Sequence, residues 1–191
     1  MSYHMYTTEA LVCGTYDTNV SDRSYLLFTK ELGMLYATAR SVREERSRQR
    51  YALQDFSLVR VSLVRGKAGW RIGSVVAVSN VFQAAPDREV RGSVTKVVRG
   101  LRRYVHGEEA MLELYTFIAT TLQTIVTPEQ RPSELYIDAV LFKMLYLLGY
   151  IAPDTEQRRW IDSFGVDIAL PAAQQRAVRR ALDNASTVSH L

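Results

Sequence analysis

The sequence predicts an α+β chain in two parts, a small five-stranded β-barrel followed by an all-α helical domain. Apolar residues recur with period two through roughly the first eighty residues, and they recur at helical spacing after the segment 84–87. The length of 191 residues suits one domain or two small ones, and a hydrophobic content of 47% is enough for a core. We therefore expect two domains, residues 1–83 and residues 84–191.

Five segments of the first part alternate as β-strands do, at residues 8–16, 24–29, 34–42, 56–65 and 70–81. Gly33 suits a hairpin turn between the second and third strands, and the sequence 66–69 suits another between the fourth and fifth. The alternation of the fifth strand predicts one shared face for Trp70, Ile72, Val76 and Val78. Because closure removes the exposed edges of so small a sheet, we expect a closed barrel.

Helical spacing in the second part predicts helices near residues 88–105, 108–126, 133–148, 155–164 and 171–185. Ser133 suits an N-cap, and Pro171 suits the start of the last helix. The third helix is apolar on nearly all sides, which predicts a central core helix; a partner-binding groove beside it is the alternative.

The sequence also limits where the protein is expected to act. The longest apolar stretch, residues 135–151, is interrupted by Asp138 and Lys143, and the N-terminal MSYHMYTTEA lacks the basic and apolar regions of a signal peptide. A lone Cys13 excludes a disulfide framework and a cysteine zinc cluster. We therefore expect a soluble cytoplasmic protein.

Positive charge is concentrated in the first part. Eleven basic and seven acidic side chains lie in the first 80 residues, against thirteen of each in the remainder. Within residues 40–71 the acids are Glu44, Glu45 and Asp55 only. Arginine stays charged and donates two parallel hydrogen bonds to phosphate, so we predict a polyanion-binding surface, the alternative being a solvated loop. Its predicted contacts are Arg40, Arg43, Arg46, Arg48, Arg50, Arg60, Arg65, Lys67 and Arg71.

Aromatic residues are interleaved with these cations, namely Tyr25, Tyr36, Tyr51, Phe56 and Trp70. Rings beside cations are typical of proteins that bind single-stranded nucleic acid, although barrels also need rings inside. A second basic stretch lies on the first predicted helix and includes Arg99, Arg102 and Arg103. It either extends the binding surface or forms an ordinary solvated helix face.

Catalytic signatures are absent from the sequence. There is no phosphate-binding loop, dinucleotide motif, serine-hydrolase elbow or zinc-protease motif, and His4, His106 and His190 are scattered. Glu108 and Glu109 are expected to open the second helix, where carboxylates complement the helix dipole. We expect no catalytic residue, no metal and no cofactor, with a hydrolase or transferase as a distant alternative.

Several segments together resemble the RecO family of bacterial recombination mediators. The run Thr7-Thr8-Glu9-Ala10-Leu11-Val12, followed by DRSYLLFTKELG at residues 22–33, resembles the opening of that family. Residues 41–50, 52–59 and 142–150 then occur in the order expected of it. The resemblance spans about residues 5–150.

This resemblance implies an N-terminal OB-fold barrel and a helical C-terminal domain in a non-catalytic protein that binds single- and double-stranded DNA. Proteins of this family anneal complementary strands and, with RecR, help to load RecA onto strands coated by single-strand DNA-binding protein. Many carry a four-cysteine zinc module after the segment that matches residues 148–150. Residues 151–166 contain no cysteine, so we expect that module to be missing or shrunken in a chain short for the family. The alternative function is a protein-interaction adaptor whose arginines bind an acidic partner.

Overall fold

A closed β-barrel forms the N-terminal part of the protein, as seen in a computed structural model that describes residues 4–18, 20–44 and 46–188. Its strands are β1 (Met5–Asp17), β2 (Arg23–Thr29), β3 (Gly33–Ala39), β4 (Ser57–Gly66) and β5 (Gly69–Asn80). Around the barrel their order is β1-β2-β3-β5-β4, with β3 and β5 parallel and the other neighbours antiparallel. This is the five-stranded barrel of the OB-fold, so the predicted fold class is confirmed.

The barrel interior is filled by alternate residues of each strand, whose side chains point inward. Val59, Val61 and Leu63 of β4 are each at most 1% exposed and meet Ala10 and Val12 of β1. The period-two pattern thus places one apolar residue in every two inside, which is why the sequence revealed these strands.

The predicted faces of β5 are wrong beyond Ile72. Trp70 and Ile72 point into the core, but Val76 and Val78 are 66% and 62% exposed. The register with β4 shifts at Gly73, which has no counterpart on that strand. One additional residue in a strand moves every following side chain to the opposite face, and a simple alternation cannot reveal it.

Seven helices are present within the described residues: α1 (Gln49–Ala52), α2 (Val81–Ala84), α3 (Arg88–Tyr104), α4 (Leu112–Ile125), α5 (Glu134–Leu147), α6 (Thr155–Ile161) and α7 (Ala172–Val188). The four-residue helices α1 and α2 were not predicted. Ser133 is the N-cap of α5, as predicted, and accepts a hydrogen bond from the backbone N–H of Tyr136. None of these helices is long and apolar enough to cross a membrane.

The acidic pair before α4 does not open that helix, contrary to the prediction. Helix α4 begins at Leu112, and Glu108 and Glu109 lie in the preceding segment. This segment packs on β3, because the backbone N–H of Met34 donates to the carbonyl of Gly107 at 2.9 Å. The carboxylate of Glu108 therefore pairs with Arg65 of β4 and does not lie at the helix terminus.

Spatial contacts divide the chain into two compact units. The first contains the residues up to Ala84 together with His106–Ala119, and the second contains Ala85–Val105 and the residues from Thr120 onward. Whether residues 1–83 and 84–191 are separate folding domains stays a prediction.

Helix α5 is the core helix of the second unit, as its all-round apolar sequence predicted. Its buried side chains include Ile137, Val140 and Phe142. Phe142 packs with Ile161 of α6 and Val178 of α7, so three helices share one apolar cluster.

Candidate nucleic-acid interface

The arginine-rich segment after β3 is held to the barrel by one apolar side chain. Val42 is fully buried in the barrel core, although its neighbours are exposed. The backbone N–H of Ser41 donates to a carboxylate oxygen of Asp22 at 2.8 Å, and that of Arg43 donates to the carbonyl of Ser21 at 3.1 Å. These contacts fix the backbone of the segment while its arginines extend outward.

Three of the predicted phosphate contacts are engaged within the protein. Arg43 lies 3.7 Å from a carboxylate oxygen of Asp17. Arg65 forms an ion pair with Glu108. Arg50 donates a hydrogen bond of 2.8 Å to the hydroxyl of Tyr51.

The other predicted contacts of the first unit face solvent. Within the described residues, no ion pair holds these six side chains, which are all exposed: Arg40, Arg46, Arg48, Arg60, Lys67 and Arg71. Glu45, an acid of the same segment, lies outside the described residues. Exposed guanidinium groups keep their hydrogen-bond donors available to an external anion.

The predicted aromatic candidates separate into core and surface. Tyr25 and Trp70 are 1% and 6% exposed and belong to the barrel core, and burial raises the pKa of Tyr25. Phe56 is half-buried and stacks on Phe82 with ring centroids 5.0 Å apart. In contrast, Tyr36 is 57% exposed and Tyr51 is 62% exposed.

A further surface tyrosine, Tyr16 at the end of β1, was missed by the sequence reasoning. Its ring meets the ring of Tyr36 edge-on, with centroids 5.7 Å apart and planes inclined by 61°. The two residues are twenty positions apart in the sequence, and β2 lies between their strands. Only the pairing register of the barrel brings them together.

The second unit holds the remaining predicted contacts, Arg99, Arg102 and Arg103, exposed on α3. Lys96 on the same helix donates to the buried carboxylate of Asp138 at 2.7 Å. Arg103 donates to the backbone carbonyl of Ser186. The sequence reasoning did not identify these internal partners, which lie forty or more positions away.

A groove of about 430 Å³ borders the core helix α5 in this unit. Its lining combines apolar and acidic side chains of α5 with cations of α3 and α7: Leu141, Leu145, Glu134, Asp138, Lys96, Arg99, Arg103 and Arg179. Helix α5 is therefore the core helix and also one wall of a groove, and the binding of a partner in this groove stays a prediction.

Potential metal ligands are dispersed in the part of the chain that the structure describes. No group of three or more His, Cys, Asp or Glu side chains is arranged there to hold a metal ion. Cys13 is buried, and its thiol donates to the carbonyl of Leu11 at 3.6 Å. His4 and His106 are exposed, and His190 lies outside the described residues.

Comparison with known proteins relates this chain to one family. The family described as "Recombination protein O N terminal" matches residues 1–79, which include almost the whole barrel. The "DNA repair protein RecO" of Myxococcus xanthus (strain DK1622) is 28% identical over 131 residues, or 68% of this chain and 54% of that protein. The protein of the same description from Caldanaerobacter subterraneus subsp. tengcongensis is 23% identical over 144 residues, or 75% of this chain and 58% of that protein. The chain spans about half the length of these curated relatives.

Proposed function

We propose that this chain, whose residues 1–79 match the N-terminal part of the RecO family, is a non-catalytic, DNA-binding mediator of recombinational DNA repair. It binds single- and double-stranded DNA and anneals complementary strands. The observation that carries this proposal is the set of exposed cations on the first unit, for which the structure shows no ion pair within the described residues. In this proposal residues 1–83 form a barrel domain that makes the principal DNA contacts. Residues 84–191 form a helical domain.

The proposed mechanism is electrostatic. Arg40, Arg46 and Arg48 on the segment after β3, together with Arg60 and Arg71 on the strands, neutralise phosphates and release their counterions. Partial neutralisation of two complementary strands lowers their mutual repulsion, so base pairing can proceed without a covalent step or a cofactor. The binding is reversible and weakens as the salt concentration rises.

The proposed partners follow from the family relation. The protein would act with RecR to assist RecA loading onto strands coated by single-strand DNA-binding protein. We place it in the bacterial cytoplasm, in association with the nucleoid.

The test is fluorescence anisotropy of a labelled single strand and of a duplex of equal length, titrated across a salt series. The variant R46A/R48A removes two exposed arginines, and R158A/R159A removes two exposed arginines of α6 as the matched control. We expect the first variant to weaken binding to both DNAs and to lower the salt slope by about one for every phosphate that is no longer neutralised, whereas the control keeps the wild-type slope. Equal salt slopes for all three proteins would show that Arg46 and Arg48 do not contact DNA. No binding of the wild-type protein at low salt would overturn the proposal.

A second candidate function, the protein-interaction adaptor, is favoured by the groove beside α5. Its apolar wall of Leu141 and Leu145, with Arg99 and Arg103 in the same lining, suits a peptide that carries both apolar and acidic side chains. Titration of the protein with an acidic C-terminal peptide of a single-strand DNA-binding protein tests it. Peptide binding together with negligible DNA affinity at low salt would favour the adaptor over the mediator.

A further inference from the structure

Tyr36 lies at the middle of β3, and its side chain is on the outer face of the barrel. Its neighbours Leu35 and Ala37 are 2% and 1% exposed and fill the interior, so the pleat of β3 directs the Tyr36 ring outward. The ring remains 57% exposed although Tyr16 meets it edge-on. An edge contact restrains an aromatic ring while covering less of it than a stacked pair would.

Two short polar side chains lie beside this aromatic pair, and Leu26 of β2 is the cross-strand partner of Tyr36. Tyr16, Ser24, Thr38 and Arg71 are successive partners across β1, β2, β3 and β5, and they form one row on the outer face. Ser24 and Thr38 are small, so they leave room beside the rings for a planar group. Arg71 is exposed at the end of the row.

The charge of this face suits an anionic strand. Arg71 pairs in register with Thr38, two residues from Tyr36, which places its Cα atom about 8 Å from that of Tyr36. Arg40 is exposed just beyond the end of β3. Two acids at this end of the sheet are engaged within the protein. Asp17 is bound by Arg23 at 2.8 Å and lies 3.7 Å from Arg43, and the carboxylate of Asp22 accepts a hydrogen bond of 2.8 Å from the backbone N–H of Ser41.

We propose that Tyr36, supported by Tyr16, is a base-stacking platform for single-stranded DNA, with Arg71 and Arg40 binding the flanking phosphates. The inference rests on the proposed function and assigns base contact to one face of the barrel. Every unpaired base presents an aromatic plane, so the platform accepts any sequence. It gives the protein a preference for unpaired over paired bases, which phosphate contacts alone do not provide.

The test compares a labelled oligothymidylate with an abasic strand of equal length and a duplex, by anisotropy at one salt concentration and across a salt series. We expect Tyr36→Ala to weaken oligothymidylate binding about tenfold, within the range of one stacked base, and to leave abasic-strand affinity, duplex affinity and the salt slope unchanged. Tyr36→Phe keeps the ring and should bind as the wild type does. Tyr150→Ala, at another partly exposed tyrosine, is the matched control and should change nothing.

Because an alanine can weaken a strand, Tyr36→Thr provides a second variant with a side chain suited to β-structure. We expect it to lose the same affinity as Tyr36→Ala. If both variants bind oligothymidylate as tightly as the wild type while R46A/R48A binds more weakly, the platform is wrong and the DNA-binding function stands. If the wild-type protein binds neither single strands nor duplex at low salt, the proposed function itself fails.

Discussion

The guanidinium carbon of Arg65 lies 5.0 Å from the centroid of the Trp70 ring, directly opposite in the β4–β5 register. Arg65 also forms an ion pair with Glu108, in the segment that precedes α4. The side chain thus contacts a ring of the barrel core and a carboxylate that is forty-three positions away. Arg60, on the same strand, is exposed and pairs in register with Glu9 and Val76 instead.

This difference predicts separate roles for two arginines of one strand. Arg60→Ala should weaken DNA binding and lower the salt slope by about one. Arg65→Ala should leave that slope unchanged and lower the free energy of unfolding by about 1 kcal/mol, the usual value of an exposed cation–π contact with a surface ion pair. Anisotropy across a salt series and urea denaturation measure the two effects. An equal decrease of slope in both variants would show that Arg65 also contacts phosphate.

Gly33 is predicted to be the glycine least tolerant of a side chain. Its φ is +69°, and a Cβ atom there would lie 2.3 Å from the carbonyl oxygen of Glu109. Gly149 has a similar φ of +77°, with nothing within 4 Å of such an atom. Gly33→Ala should therefore lower the free energy of unfolding more than Gly149→Ala does. For Gly149→Ala we expect a decrease of about 1 kcal/mol, from backbone strain alone. Urea denaturation of both variants decides, and equal losses would contradict the close approach of the two segments.

The buried carboxylate of Asp138 is predicted to stabilise the second unit. Its side chain is 6% exposed, with Lys96 at 2.7 Å and Arg179 at 3.3 Å. Asp138→Ala removes both charged hydrogen bonds and should lower the free energy of unfolding by about 2 kcal/mol. Lys96→Ala should lower the free energy of unfolding less than Asp138→Ala does, because Arg179 still neutralises the carboxylate. A larger loss for Lys96→Ala, measured by the same denaturation, would contradict this assignment.

Tyr115 is predicted to make the protein sensitive to alkali. Burial, followed by the nearby carboxylates of Glu9 and Glu31, raises the pKa of Tyr115 above its ordinary value of 10.0. The unfolded chain therefore loses this proton first, so the contribution to stability is complete below pH 10 and declines as the pH rises toward the folded pKa. Tyr115→Phe should be nearly as stable at pH 8 and should lose less stability than the wild type between pH 10 and about pH 11.5. Denaturation midpoints at several pH values measure this difference, and parallel declines would contradict it.

The elements with a regular pattern could be predicted from the sequence. The period-two segments of the first part became β1 to β5, and the apolar third helix became the core helix α5. Two local predictions failed where a long-range contact decides the outcome. The register shift at Gly73 turns Val76 and Val78 outward, and the contact of the 107–109 segment with β3 keeps Glu108 out of a helix.

The sequence by itself determined the order of strands and helices, because the spacing of apolar residues is a local pattern. It also determined the excess of arginine in the first part, which is a matter of composition. Whether an arginine faces solvent, as Arg46 does, or is paired, as Arg65 is, depends on residues far away in the chain. The contact of Tyr16 with Tyr36 likewise exists only because the strands pair in one register. Register and packing depend on the whole barrel, so only the tertiary structure could decide which of the predicted side chains are available to bind DNA.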